Sequence, residues 1–248
     1  MSAALSPATI SPVLTAANGL QYLVFVPPSW SPPTPTSPKH PLLLFLHGAG
    51  GVNSPENVQG QSLMRMLADK DFAATKSHIV VAPIAPERPW QPSIPSIMDL
   101  LSALSTDLGG DPKKTSLAGQ SMGGNGAWSI ASDHAATFAS ITPVCGYIEG
   151  DRAGNGVPTD YPLANLARTP IWVFHAEDDS VVPVQASDVV VAALQAKGGT
   201  AAVKYTRYEP GLAPPCKTKV KDLPGHASYE LAFKDEEWWT WLESQSLE

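Results

Sequence analysis

The chain has 248 residues, 43% hydrophobic and 16% charged, an ordinary globular composition with length for one α/β domain and a large core. Its 16 Lys and Arg are scattered among 23 Asp and Glu, a net charge of −7, which argues against nucleic acid or an anionic membrane as partner. No apolar run approaches the roughly 18 residues that a membrane span needs.

The first 18 residues are small and polar, an extension with room for one edge strand around Ile10–Leu14. Met1–Pro7 has neither the basic region nor the apolar stretch of a signal peptide, so a soluble protein of the cytoplasm is expected. Leu20–Val26 is β-rich and reads as a strand, followed by a proline-dense surface loop over Pro27–Pro38. Leu42–Leu46 is a continuous apolar run, the mark of a strand buried on both faces of a parallel sheet, and it runs into His47-Gly48-Ala49-Gly50-Gly51.

Gln59–Asp71 carries a helical pattern, and His78–Ala82 is the next buried strand. Ser96–Leu108 is an amphipathic helix with Ile97, Leu100, Leu101 and Leu104 on one face. Further strands are expected at Thr115–Ala118, Phe138–Val144, Ile171–Phe174 and Ala201–Tyr208. Helices are expected from Met122, over Val184–Lys197 with Gly198-Gly199 closing it, and over Ser228–Glu243, with a loop at Gly211–Gly225. Strands alternating with helices, without repeat or linker, predict a single α/β domain over residues 1–248 with a mostly parallel, doubly wound sheet. The short stretch between Val144 and Ile171 leaves no room for a large lid domain.

The chemistry concentrates at Gly119-Gln120-Ser121-Met122-Gly123. Strand, sharp turn with Ser at its tip, then helix is the context of a nucleophile elbow, and glycines flank the Ser because strand and helix pack too closely for side chains. A serine hydroxyl is a weak nucleophile; it needs a base, the base needs an orienting acid, and the oxyanion needs donors. In a Ser, then acid, then His chain order, the base is His226 by elimination. His40, His47 and His78 precede the elbow, His134 lies in its helix, and His175 ends a strand where a structural role is more natural. The acid must leave the Ile171–Phe174 strand, where Glu177, Asp178 and Asp179 follow, with Asp178 and Asp179 tied. Oxyanion donors are expected from the Met122 N–H and one N–H in His47–Gly51.

Val26-Pro-Pro, Leu42–Gly51, Leu117–Gly124, Phe138–Gly146 and Pro170–His175 with Val182-Pro183 together resemble serine esterases of the α/β-hydrolase superfamily. The resemblance is to the branch of phospholipase/carboxylesterases, feruloyl esterases and polyhydroxybutyrate-depolymerase-like proteins, including "predicted peptidases". It implies an α/β-hydrolase fold and the set Ser121, Asp179 and His226, with Ala49 (Gly50 as runner-up) and Met122 at the oxyanion. Ala176 stands where that family usually has Gly, and the Gly211–Gly225 loop is long.

The expected activity is cofactor-free hydrolysis of small or extended carboxylic esters through an acyl-enzyme. A peptidase or amidase using the same residues, or a low-turnover binding protein on this fold, are the other readings. Trp90 and Tyr147 follow strand ends on the side where such sheets bind ligands, and are candidates to line the cleft as well as to pack. No H-x-x-x-H or C-x-x-C spacing suggests a metal site. Cys145 reads as a buried thiol, and a Cys145–Cys216 bridge is left open, as is oligomeric state.

Overall fold

Apolar runs too short for helices pair into the sheet on which the site stands. The computed structural model describes residues 5–198, 202–217 and 222–248. Among these, nine strands form one sheet: β1 (Thr9–Ile10), β2 (Leu14–Thr15), β3 (Gln21–Val26), β4 (His40–Leu46), β5 (Ile79–Pro83), β6 (Gly110–Gln120), β7 (Ser140–Val144), β8 (Ile171–Ala176) and β9 (Val203–Tyr208). The order is β1-β3-β5-β4-β6-β7-β8-β9, with β2 also on β3. β3 joins β5 antiparallel, and every pair from β5 to β9 is parallel.

Both faces are covered, so alternate residues along one strand enter different cores. Leu42, Leu44 and Leu46 face one apolar cluster; Leu43 and Phe45 face the other. The first cluster is closed by α4 (Ile94–Asp107), α5 (Met122–Asp133) and α6 (Gln185–Ala196). The second is closed by α1 (Pro55–Gln59), α2 (Ser62–Leu67), α3 (Lys70–Ala73), α7 (Tyr229–Ala232) and α8 (Glu236–Ser244). The expected doubly wound α/β sheet is therefore observed.

The element boundaries depart from the sequence pattern in specific ways. The helical stretch expected over Gln59–Asp71 is broken twice, near Gly60, where Ser62 takes φ +49°, and at Asp69, whose carboxylate accepts from the Asp71 and Phe72 N–H groups, leaving α1, α2 and α3 as separate short helices. The one expected over Ser228–Glu243 divides into α7 and α8, because the Asp235 carboxylate accepts from the Glu237 N–H at 2.9 Å and caps a new helix. The Gly211–Gly225 loop contains a two-stranded hairpin, β10 (Cys216–Lys217) with β11 (Asp222–Leu223). The N-terminal edge is two short strands rather than one. Between Val144 and Ile171 there is only an isolated bridge, Ile148 to Asp151, and a 3₁₀ turn at Leu163–Leu166, so no lid domain intervenes. Met1–Ala4, Gly199 and Ala201, named above, lie outside the described residues. No helix among the described residues is long and apolar enough to cross a membrane.

Candidate active site

The C-terminal ends of the parallel strands converge on one point. β6 ends at Gln120, and Ser121 turns the chain into α5 with φ +55° and ψ −115°, a conformation that L-residues rarely adopt. The turn holds because neighbouring backbone leaves no alternative. A Cβ on Gly119 would strike the Gly123 carbonyl, and one on Gly123 would strike the Leu46 carbonyl. The Ser121 N–H donates to Val144 O at 2.9 Å, and the Ser121 carbonyl accepts from Asn125 N at 3.0 Å to start α5.

His226 lies in the segment between β11 and α7. Its Nε2 sits 3.0 Å from Ser121 Oγ, and its Nδ1 lies 2.9 Å from Asp179 Oδ2 and 3.0 Å from Oδ1. Ser121, Asp179 and His226, residues 105 and 47 positions apart in their two contacts, are thus brought into one hydrogen-bonded line. The segment is held by Ser180, whose N–H and hydroxyl both donate to Pro224 O at 3.1 Å. Gly225, at φ +69°, packs so tightly on the Asp178–Asp179 peptide that a Cβ there would lie 2.5 Å from it.

The three consecutive carboxylates after β8 take three different partners. Glu177 faces Arg207 at 3.4 Å, Asp178 accepts from the Gly211 N–H at 2.9 Å, and Asp179 faces His226. Asp179 also accepts from the N–H groups of Val181 at 2.8 Å and Val182 at 3.0 Å. His175, wholly buried, completes the shell: its Nε2 lies 3.2 Å from Asp179 Oδ2 and 2.9 Å from Val182 O, while its Nδ1 faces Ser187 Oγ at 2.7 Å. Those partners make Nε2 the protonated nitrogen and Ser187 the donor to Nδ1. Burial pushes the Asp179 carboxyl up, but hydrogen bonds from His175, His226 and the Val182 N–H outweigh it and hold the group well below the usual carboxylate range.

Across from the elbow, His47 follows the end of β4, and a 3₁₀ turn comes next at Ala49–Gly51. The N–H groups of Ala49 and Met122 stand at the first positions of the 3₁₀ turn and of α5, where no carbonyl within the helix reaches them. The turn is braced from outside. His47 Nδ1 donates to Gly48 O at 2.7 Å, and its Nε2 accepts the Ala85 N–H at 3.0 Å. Burial lowers His47 to about 4 against the pull of the Gly48 carbonyl, so the ring is neutral near pH 7. Arg88 donates to Ala49 O at 2.9 Å and Asn57 to Gly50 O at 2.9 Å.

A cavity of about 1140 Å³ opens at Ser121. Ala49, Met122 and Tyr147 line it, together with Arg65, Arg88, Arg152 and Tyr229. The hairpin after β9 supplies another wall through Pro214, Pro215, Cys216 and Leu223. Trp90 does not line it. Its indole is fully buried, donates to His47 O at 3.2 Å and packs on the His47 ring at a centroid distance of 4.8 Å. It is a packing residue that supports the Ala49 turn from behind, because the chain after β5 folds inward at that point. The three arginines and Tyr229 belong to no motif of the sequence: Arg88 and Arg152 come from loops, and a helical pattern does not show that Arg65 and Tyr229 border a cavity.

Cys145 lies beneath His226, with its thiol 3.6 Å from the His226 carbonyl, and Cys216 accepts from the Tyr229 hydroxyl at 3.4 Å; both are free thiols. Cys145, Asp179 and His226 bring potential metal-ligand atoms within 4.8 Å of one another. Both imidazole nitrogens already face partners, and burial, then the Asp179 charge, pushes the Cys145 thiol well up. The donor set therefore fits proton transfer and not metal ligation.

This sheet, with a serine elbow after its central strand and a late histidine, has the α/β-hydrolase fold. Solved structures of hydrolases superpose on it. A thermostable esterase matches with TM-score 0.73 and 27% identity over 95% of this chain and 62% of that one. The chain thus spans less than two thirds of that esterase. Fluorophosphonate-binding serine hydrolase F of Staphylococcus aureus matches with TM-score 0.68 and 15% identity over 96% of this chain and 99% of that one. A dienelactone hydrolase from Klebsiella pneumoniae matches with TM-score 0.63 and 14% identity over 95% and 99%. No family model and no curated protein matches the chain.

Proposed function

We propose that the protein is a serine carboxylic-ester hydrolase working through Ser121, His226 and Asp179. The observation that carries this reading is the continuous line from Asp179 through His226 to Ser121 Oγ, with contacts of 2.9 and 3.0 Å. His226 Nε2 takes the Ser121 proton as Oγ attacks the ester carbonyl, and the oxygen that becomes negative is met by the N–H groups of Ala49 and Met122. The imidazolium is stabilised by ionised Asp179 and returns its proton to the departing alkoxide. Water, deprotonated by the same nitrogen, then attacks the acyl-serine, and Oγ leaves with the proton from His226.

Esterases and serine hydrolases among the structural neighbours support the class, and the cavity beside Ser121 supports a small-molecule ester. The test is hydrolysis of p-nitrophenyl esters over a range of acyl lengths, wild type beside Ser121→Ala, with matched anilides in parallel. Turnover of esters that falls roughly 10⁴-fold or more in Ser121→Ala is expected. Equal turnover in the variant would sink the assignment. Anilide turnover matching that of esters would move the reading to an amidase.

A further inference from the structure

The cavity at Ser121 has a charge opposite to that of the molecule around it. The chain carries −7 overall, yet three of its sixteen basic residues, Arg65, Arg88 and Arg152, line this cavity against one acid, Glu230. Arg65 pairs with Glu230 at 2.6 Å and is neutralised. Arg88 and Arg152 make no ion pair among the described residues. Each is instead tethered by a backbone carbonyl, Arg88 by Ala49 O at 2.9 Å and Arg152 by Val181 O at 3.1 Å. The Arg152 guanidinium also lies over the Tyr147 ring, 5.2 Å from its centroid. A guanidinium has five N–H donors, so one carbonyl leaves most of each fork for a ligand. Tethering also limits the side-chain entropy lost when that ligand arrives.

Two further atoms in the same walls point to a polar occupant. Ser62 Oγ and Gln120 Oε1 are buried, line the cavity and have no hydrogen-bond partner among the described residues. Leaving such atoms unpaired is costly, and an alkyl acyl chain would keep them so. A neutral polar ligand would satisfy Ser62 and Gln120 but not the two charges.

We propose that the ester this site takes carries a carboxylate, held by Arg88 and Arg152. The proposal rests on the ester-hydrolase reading of Ser121 and names its substrate class: a half-ester of a dicarboxylic acid, or an ester of a hydroxy acid, each bearing one anionic end. The cavity of about 1140 Å³ exceeds what a short acyl ester fills and accommodates that second arm.

Two substrate series test it. In one, monoethyl esters of short dicarboxylic acids are compared with the same chains ending in a carboxamide, which places the anion on the acyl side. In the other, butyrate esters of hydroxy acids are compared with their carboxamides, which places it on the alcohol side. At low salt, kcat/KM for the anionic member is expected to exceed that of the amide at least tenfold in one series. That preference should shrink in salt of roughly 1 M, where the screening length is about 3 Å.

Arg88→Gln and Arg152→Gln should each cut the ratio about tenfold. The ratio is the readout because Arg88 also braces the Ala49 turn. A ratio at or below one in both series, or one unchanged in the double variant, overturns the proposal. Failure to hydrolyse any ester would count against the ester-hydrolase reading alone. The anion site is then read by calorimetric titration of glutarate into Ser121→Ala, with and without Arg88→Gln and Arg152→Gln. Saturable binding lost with the arginines upholds the site; no binding removes it.

Discussion

Asp179 is buried, yet every face of its carboxylate meets a donor, and that is why it stays ionised beside an imidazole. His175 supplies the donor farthest from the reaction. In the proposed mechanism it acts as a positioning residue, because it touches Asp179 and not the serine. Removing its N–H frees Asp179 to bind a proton at higher pH and to turn away from His226. His175→Phe is therefore expected to lower kcat roughly 10- to 100-fold with little change in KM, and to move the acid limb of the pH–rate profile upward, with His175→Gln restoring part of the rate. Asp179→Asn is expected to lose about 10⁴-fold, since the amide favours the wrong imidazole tautomer. Chain order alone points to His226, because it is the one histidine after the Glu177–Asp179 cluster. The choice between Asp178 and Asp179 was not legible in this way. Adjacent residues point to different sides of a turn, and only the packing of Pro224 and Gly225 on that turn decides which one meets the ring.

At the scale of elements, the elbow depends on absent side chains more than on present ones. Gly119→Ala or Gly123→Ala places a methyl against backbone carbonyls that cannot retreat without separating β4, β6 and α5. Each is expected to destabilise the fold by about 3 kcal/mol or more, seen as a lowered melting temperature and lost soluble yield. Asp235→Ala at the start of α8 is milder, at about 1 kcal/mol in a denaturant titration, because it removes one cap. The strands were read closely from apolar runs, since burial on both faces leaves little room for polar residues. Helix ends were read less well. The breaks at Ser62 and Asp235 are set by a positive φ and by a cap, features of one residue that a periodic pattern averages away. For Trp90 the sequence leaves cleft and core both open, because which one an aromatic faces depends on how the following chain folds; here it packs in the core on His47.

Over the whole molecule, two buried histidines tie stability to pH. Burial lowers His47 to about 4, and burial, with the charges of Lys114 and Lys76, lowers His78 to about 3. Both are lowered in the folded state, so their contribution is in full above the ordinary histidine value of about 6.5. It is lost as pH falls through the interval down to the folded values. For His47 this amounts to on the order of 3 kcal/mol. The prediction is a melting temperature that declines from about pH 6.5 towards pH 4, and a His47→Gln variant in which part of that slope is gone. A flat melting temperature over this range would contradict the neutral, buried state of both rings.

The two thiols described beside His226 and on the hairpin wall sit on opposite sides of the solvent boundary. Cys145 is fully buried, whereas Cys216 is partly exposed on the cavity lining. The protein consequently carries an intrinsic footprinting probe. A small alkylating reagent should modify Cys216 in the native state and reach Cys145 only after unfolding, with the sites separated by peptide mass. A ligand seated against the hairpin would slow the first reaction without touching the second. Occupancy could then be followed by a chemistry that does not depend on turnover, even in a protein whose serine has been removed.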